Sequence, residues 1–232
     1  MIVLGVIPAR GGSKGIPGKN LAPVAGRPLI AWTCDAARAS RLLTHVAVST
    51  DDERIADAAR ARGVETVLRR PAPLSADDTP MLPVLRHALA EFERTAGPVE
   101  TVVLLQPTSP LRRGEHIDAA VRLLRESGAD CVVSVVPVPH QFSPVSLMSL
   151  DAGSRLSAYE GGATAVRRQD KPALYAMNGP AVLAIRREAL LSGDSLYAGD
   201  CRALVMRSED SIDVDTAWDL DLAAFALQRR TS

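Results

Sequence analysis

Short apolar runs alternate along this chain with stretches whose apolar positions recur every third or fourth residue. The runs fall near 2–8, 45–50, 64–68, 100–106, 131–137, 181–186 and 203–207, and the helical patterns near 28–39, 52–62, 80–95, 114–126 and 215–229. Strands that read as continuous apolar segments are buried on both faces, and strands that alternate with helices pair in parallel. The pattern therefore predicts an α/β fold with a mainly parallel sheet covered by helices on both sides. Ligands of such sheets bind outside the carboxyl ends of the strands.

The alternation lapses once. From about Val138 to Asn178 it gives way to Pro139-His140-Gln141-Phe142-Ser143-Pro144, to Gly161-Gly162 and to Arg167-Arg168-Gln169-Asp170-Lys171-Pro172. A connection of that length without helical period is functional or pairs with something else. It predicts an inserted arm or lid that reaches a second subunit, with His140 an ordinary surface residue.

Composition narrows the picture. A chain of 232 residues with 47% hydrophobic content can bury one sizeable core, which predicts a single domain over 1–232. Lys and Arg number 27 and Asp and Glu number 27, so no broad basic face for nucleic acid or anionic membrane is expected. Cys34, Cys131 and Cys201 are far apart and lack CxxC spacing, so they read as small buried hydrophobes rather than a disulfide framework or zinc site. The apolar N-terminus lacks a basic flank, and no stretch approaches a membrane span. A cytoplasmic protein is expected.

The candidate chemistry begins where the first strand ends. Pro8-Ala9-Arg10-Gly11-Gly12-Ser13-Lys14-Gly15 with Gly18-Lys19-Asn20 joins closely spaced glycines to three cations. Glycines let backbone N–H groups converge on one point, and Arg10, Lys14 and Lys19 bring positive charge beside it. The spacing is not that of a P-loop, because Ser13 stands where the first glycine is needed and Asn20 where Ser or Thr is needed. Nor is it G-x-G-x-x-G, since the glycines fall at 12, 15 and 18. The loop is read as a phosphate site of another kind.

Four further segments carry polar groups at strand ends. Ser211-Ile212-Asp213-Val214-Asp215 places two carboxylates at i and i+2, which suits one hard cation such as Mg²⁺ if the segment is extended. Alternatively, Asp215 only caps the helix beginning near Thr216. Val48-Ser49-Thr50-Asp51-Asp52-Glu53 is explained by capping alone. Leu104-Leu105-Gln106-Pro107-Thr108-Ser109-Pro110-Leu111-Arg112 reads either as a turn or as a site, and Arg69-Arg70-Pro71 with Leu74 to Pro80 as turn plus cap or as a base contact. No Ser-His-Asp or Cys-His pattern is readable.

Taken in order, Ile7 to Gly15 with Lys19-Asn20, Val48-Ser49-Thr50-Asp51, Arg70-Pro71, Leu105 to Arg112, Asn178-Gly179 and Ser211 to Asp215 make the chain resemble the acylneuraminate cytidylyltransferases, which activate sialic and related nonulosonic acids as CMP sugars. The resemblance covers nearly the whole length. It implies a Rossmann-like three-layer α/β/α fold, CTP as nucleotide donor, Mg²⁺, a small acidic acceptor and a homodimer closed by the arm. It also implies nucleotide contacts from Pro8, Ala9, Arg10, Gly11, Gly12, Ser13, Lys14, Lys19, Asn20 and Arg70, with the backbone around Ala76 and Asp77 reading the cytosine edge. Asp213 and Asp215 correspond to metal ligands and, with Arg10 and Lys19, to the catalytic set. Gln106, Arg168, Tyr175 and Asn178 correspond to the acceptor region.

The reaction so implied is attack of an acceptor oxygen on the α-phosphorus of CTP with loss of pyrophosphate, driven by positioning and charge neutralisation. One position departs from the pattern: Ala176 stands where the sialic-acid enzymes usually carry an arginine for the sugar carboxylate. A guanidinium is hard to replace, so the departure points to compensation by Arg167 or Arg168, to another nonulosonic acid, or to a non-sugar acid such as a phosphonate. The competing readings are a nucleotidyltransferase acting on a sugar 1-phosphate and a non-catalytic nucleotide-binding module.

Overall fold

A computed structural model of the chain describes residues 1–159 and 173–231. The first half holds β1 (Ile2–Pro8), the short pair β2 (Pro23–Val24) and β3 (Arg27–Pro28), α1 (Leu29–Ala39), β4 (His45–Thr50), α2 (Glu53–Arg60), β5 (Thr66–Arg69), α3 (Met81–Ala96) and β6 (Val99–Leu104). Then follow α4 (Gly114–Ser127), β7 (Cys131–Pro137), β8 (Met148–Leu150), β9 (Leu156–Ala158), β10 (Tyr175–Met177), β11 (Leu183–Arg186), α5 (Arg187–Ser192), β12 (Cys201–Val205) and α6 (Ala217–Thr231). Every predicted strand and helix is present within a few residues.

The central sheet runs β12, β7, β11, β6, β1, β4, β5. All neighbours are parallel except β11, which is antiparallel to β6 and β7, and the short β10, which is antiparallel to β7. Alternate residues of each strand feed the two faces. Val3 and Ile7 of β1 pack with Ile30, Cys34, Ile55, Ile117 and Val121 of α1, α2 and α4, while Leu4 and Val6 pack with Leu85, Leu89 and Leu190 of α3 and α5. Burial of whole side chains on both faces, at roughly 1.5–3 kcal/mol each, is what makes the apolar runs continuous. Cys34 and Cys131 lie in these cores, and burial pushes the Cys34 thiol up to about 12.

Several features were not anticipated. The one-turn-and-a-half α5 follows β11 directly and is too short to show a period. Within the segment expected to be an arm, the structure has two 3-10 turns and the hairpin β8–β9, and its last residues, β10, pair antiparallel with Val135 to Pro137 of β7. β10 and β11 are thus one strand laid along β7 and interrupted by Asn178 to Val182. The Gly161-Gly162 and Arg167 to Pro172 part of the arm lies outside the described residues, Arg168 included. Among the described residues no helix is long and apolar enough to cross a membrane.

Candidate active site

The loops after β1 and β6 open beside one another at the carboxyl edge of the sheet. Between them lies a cleft of about 230 Å³ lined by Pro8, Arg10, Gly12, Ser13, Lys19, Asn20, Arg70, Met81, Gln106, Pro107 and Thr108. It continues outward into a hollow of about 360 Å³ between Arg10, Ser13, Lys14, Gly15, Lys19, Asp77, Asp78 and Asp215. The expected phosphate loop, the strand end at Gln106 and the acid segment therefore share one depression. Pro107 and Thr108, from the segment singled out with Gln106, and Met81, which carried no signal in the sequence, complete its wall.

The loop is held from below. Ala9 N–H donates to the Ser49 carbonyl at 2.9 Å, Gly11 N–H donates to Asp51 Oδ1 at 2.9 Å, and Asn20 Nδ2 donates to the Arg10 carbonyl at 2.9 Å. Asp52 caps α2 by accepting from Arg54 N–H at 2.8 Å, as capping predicts, but Asp51 does not. Asp51 is a loop anchor that capping logic missed, because its partner is 40 residues away. Arg70 is buried, with its guanidinium donating to Ser49 Oγ and the Ser49 carbonyl at 3.2 and 2.6 Å, and burial pulls its pKa down to about 10. It remains a cation at neutral pH on the cleft wall.

Arg10 and Lys14 meet Asp77 at 2.5 and 3.0 Å. The hydrogen bond from Lys14, with Arg10 adding to it, holds the Asp77 carboxyl below its ordinary range. Ala76 and Asp77 thus do stand beside the loop, but the Asp77 side chain faces the cations. What the structure shows at this position is an ion pair between Asp77 and the loop cations.

Asp213 and Asp215 flank Val214, which is fully buried against Val24, Leu29, Leu111, Ala223 and Leu227. Three contacts hold this segment. Val214 N–H donates to the Thr108 carbonyl at 2.8 Å, Lys19 Nζ donates to the Val214 carbonyl at 2.8 Å, and Lys19 pairs with Asp215 Oδ1 at 3.1 Å. Gly15 approaches from the same side: a Cβ there would lie 3.0 Å from the Asp215 carbonyl. The helix that follows is capped reciprocally by Thr216 and Asp219, with Thr216 N–H donating to Asp219 Oδ2 at 2.7 Å and Asp219 N–H to Thr216 Oγ1 at 3.3 Å. Asp215 is therefore not the cap, and the alternative reading of that residue falls.

Asp213 Oδ1 is buried with no hydrogen-bond partner. Burial pushes the carboxyl up, a Thr108 hydrogen bond and Lys19 oppose this, and the neighbouring Asp215 adds to it. An orphaned carboxylate oxygen beside a second carboxylate is a setting that a hard cation would relieve. Among the described residues no group of three or more His, Cys, Asp or Glu surrounds such a cation. Any cation held by the two carboxylates would therefore draw its remaining positions from water and substrate.

The acceptor residues are placed less uniformly. Gln106 lines the cleft. Tyr175 sits exposed on β10 opposite Pro137, away from the cleft lining. Asn178 is only 5% exposed, and its amide is engaged by Ser134, Ala181 and Ser211. Its setting is that of an internal tie rather than the direct acceptor contact expected. Arg112, the cation closing the Gln106 motif, is likewise internal: it donates to the carbonyls of Gln106 and Ala181 and to Thr33 Oγ1 at 3.0, 2.7 and 2.6 Å. Burial lowers its pKa to about 9.

A family model described as cytidylyltransferase matches residues 4–213, from β1 to the first acid of the pair. The chain belongs to the cytidylyltransferase family. The enzyme is 34% identical over 220 residues to the CMP-N,N'-diacetyllegionaminic acid synthase of Legionella pneumophila, which covers 94% of this chain and 93% of that protein. It is 36% identical over 219 residues to the N-acylneuraminate cytidylyltransferase of Streptococcus agalactiae, covering 92% of this chain and 50% of the relative. The chain thus spans about half the length of that streptococcal protein. The cytidylyltransferase also matches the structure of a CMP:2-keto-3-deoxy-manno-octonic acid synthetase complexed with CTP, with a TM-score of 0.74, 17% identity and coverage of 99% and 100% of the two chains. At that identity the likeness is one of fold.

Proposed function

We propose that this enzyme transfers CMP from CTP to an oxygen of a nonulosonic acid and releases pyrophosphate. The observation that carries the reading is the meeting of the cationic loop with the acid segment through Lys19, in the hollow that Arg10, Ser13, Lys14 and Asp215 also line. Its support from relatives is that both named above bear the names of enzymes acting on such acids.

In this reading the triphosphate lies along Gly11 to Gly15, where Arg10, Ser13, Lys14 and Lys19 offset its charge, and Arg70, Asn20 and the 76–77 backbone hold the nucleoside end. The acceptor enters beside Gln106. Its hydroxyl oxygen forms a bond to the α-phosphorus as the bond from that phosphorus to the β-phosphate bridging oxygen breaks; pyrophosphate carries off the electron pair and the hydroxyl proton passes to solvent. Asp213 and Asp215 would hold Mg²⁺, whose contribution when bound is to neutralise phosphate charge. Lys19 fixes Asp215 and the Val214 carbonyl, so the acid segment and the loop keep one spacing through the displacement. Effects of this kind, positioning with preset charge, commonly supply most of the acceleration in phosphoryl-type transfers.

The hairpin β8–β9 exposes Leu150 and Leu156 at 66% and 61%, with Met148 and Phe142 nearby in sequence also exposed. Apolar surface of this kind favours a partner, and we assign it to a second copy of the chain in a homodimer. We read the enzyme as cytoplasmic, where free CTP is available. Ala176, which offers no charge on β10, leaves the acceptor carboxylate to Arg168 in our reading.

Incubation of the purified chain with CTP, Mg²⁺ and a panel of nonulosonic and phosphonic acids tests the proposal, with the CMP conjugate identified by mass and pyrophosphate measured independently. A CMP conjugate of a nonulosonic acid is expected. A conjugate only with a phosphonic acid overturns the acceptor class, and preference for UTP or GTP, or for sugar 1-phosphates, overturns the cytidylyl reading. Light scattering reads the homodimer directly.

A further inference from the structure

We propose that Asn178 is a positioning residue that sets the acid segment Ser211 to Asp215 for cation binding. The inference rests on the reading that Asp213 and Asp215 hold a divalent cation. Asn178 stands where β10 leaves β7, at the start of the interruption before β11. Its Oδ1 accepts from Ser134 Oγ at 2.6 Å and from Ala181 N–H at 3.3 Å. Its Nδ2 donates to Ser211 Oγ at 2.9 Å and also faces Met206 Sδ at 3.6 Å. An amide has two donor hydrogens and one acceptor oxygen, so this set occupies it fully and leaves nothing for a ligand.

Ser134, the fixed end of the tie, is itself buried in β7 and accepts from Val182 N–H at 2.9 Å. Ser211, the other end, donates to the Arg207 carbonyl at 2.8 Å and closes the turn from which Ile212 and Asp213 emerge. Asn178 therefore couples the rigid interior of the sheet to the first residue of the acid segment. It also places its neighbour. Gly179 has φ +116, and a Cβ there would lie 3.3 Å from Asp213 Oδ1 and 3.1 Å from Ser109 Oγ, so the backbone at 179 bears against the acid itself. One amide fixes Asp213 from two directions: through Ser211 along the chain and through Gly179 across it.

Lys19 and Thr108 restrain the far side of the segment, at Val214 and Asp215. Nothing in that pair restrains Ser211. Without the amide the Ser211 end keeps only its local bonds to the Arg207 and Ser208 carbonyls and loses its tie to the sheet, and Asp213 is no longer held in register with Gly179. Hydrogen-bonded residues behind a metal-binding carboxylate commonly contribute about 10- to 100-fold to metal affinity by holding the ligand in place.

The test uses the intact chain with Mn²⁺ alone as probe and no nucleotide, which would itself chelate the ion; free Mn²⁺ is measured by its electron paramagnetic resonance signal and the melting temperature is recorded for each variant. Ser211→Ala removes the hydroxyl that Asn178 grips and is expected to weaken Mn²⁺ binding at least roughly tenfold at unchanged melting temperature. Ser211→Thr keeps a hydroxyl and is expected to restore binding. Asn178→Ala is expected to weaken binding likewise, and Ser211→Ala carries the test should that buried substitution prevent folding. Asp213→Asn checks the underlying reading: if it binds Mn²⁺ as the wild type does, the acids hold no cation and both ideas fall. If Asp213→Asn loses binding while Ser211→Ala keeps wild-type affinity, the tie alone is overturned. A loss in Ser211→Ala that merely follows a fall in melting temperature also overturns it.

Discussion

Lys19 and Asp215 stand 196 positions apart in sequence and 3.1 Å apart in space, with the lysine also donating to the Val214 carbonyl at 2.8 Å. The contact joins the end of the opening loop to the segment before the last helix. It brings Asp215 into the hollow lined by Arg10 and Lys14, and the catalytic reading depends on it.

Lys19→Ala removes that junction and one cation from the phosphate path. Turnover is expected to fall roughly 10²- to 10³-fold, the usual effect of deleting one charge-stabilising donor, with little change in melting temperature. Asp213→Asn is expected to act likewise. Steady-state kinetics beside a melting curve decide the matter, and unchanged kcat in both variants removes these residues from the chemistry.

Asp77 occupies Arg10 and Lys14, the cations that a polyphosphate would use. An incoming ligand has to displace that carboxylate. Asp77→Asn is therefore expected to tighten inorganic pyrophosphate binding, by roughly two- to fivefold given the modest strength of exposed ion pairs. Calorimetric titration with pyrophosphate measures it, and weaker binding would show that Asp77 supports the site instead of competing for it.

Gly179 has φ +116, and a Cβ would press on Ser109 Oγ at 3.1 Å and on Asp213 at 3.3 Å. Gly179→Ala is expected to cost about 1–3 kcal/mol in backbone strain. Because the added methyl group meets Asp213, turnover is expected to drop further than stability alone explains. Denaturant unfolding and kinetics on the same sample separate the two effects.

Glu93 is held below the ordinary glutamate range first by hydrogen bonds from Arg187, at 2.7 and 3.1 Å, and also by the Val99 N–H at 2.9 Å. Since the folded protein binds this proton less readily than the unfolded chain, the stabilisation is present above the ordinary value of 4.5 and is lost as pH falls through the folded value. Glu93→Gln is expected to be less stable than wild type near neutrality, with the gap closing as pH falls below 4.5. Urea unfolding at several pH values tests it, and a gap that stays constant with pH excludes a charge effect.

Much of the architecture was legible in the linear pattern. Strand β1 and helix α4 announce themselves because burial on two faces gives a continuous apolar run and burial on one gives a 3.6-residue period. The loop's glycines and cations were legible for the same local reason. Helix α5 was too short for a period, and β10 was hidden in the arm because its pairing with Val135 to Pro137 is decided by the partner strand.

The sequence by itself determined the order of strands and helices, the cationic loop and the i, i+2 spacing of Asp213 and Asp215, since each depends on residues a few positions apart. Only the tertiary structure decided that Asp51 anchors the loop while Asp52 caps a helix, that Thr216 and not Asp215 caps α6, and that Asn178 is an internal tie. Identical side-chain chemistry serves each pair of alternatives equally well. The choice between them is set by which distant backbone the sheet register brings within hydrogen-bond reach, and local periodicity carries no record of that distance.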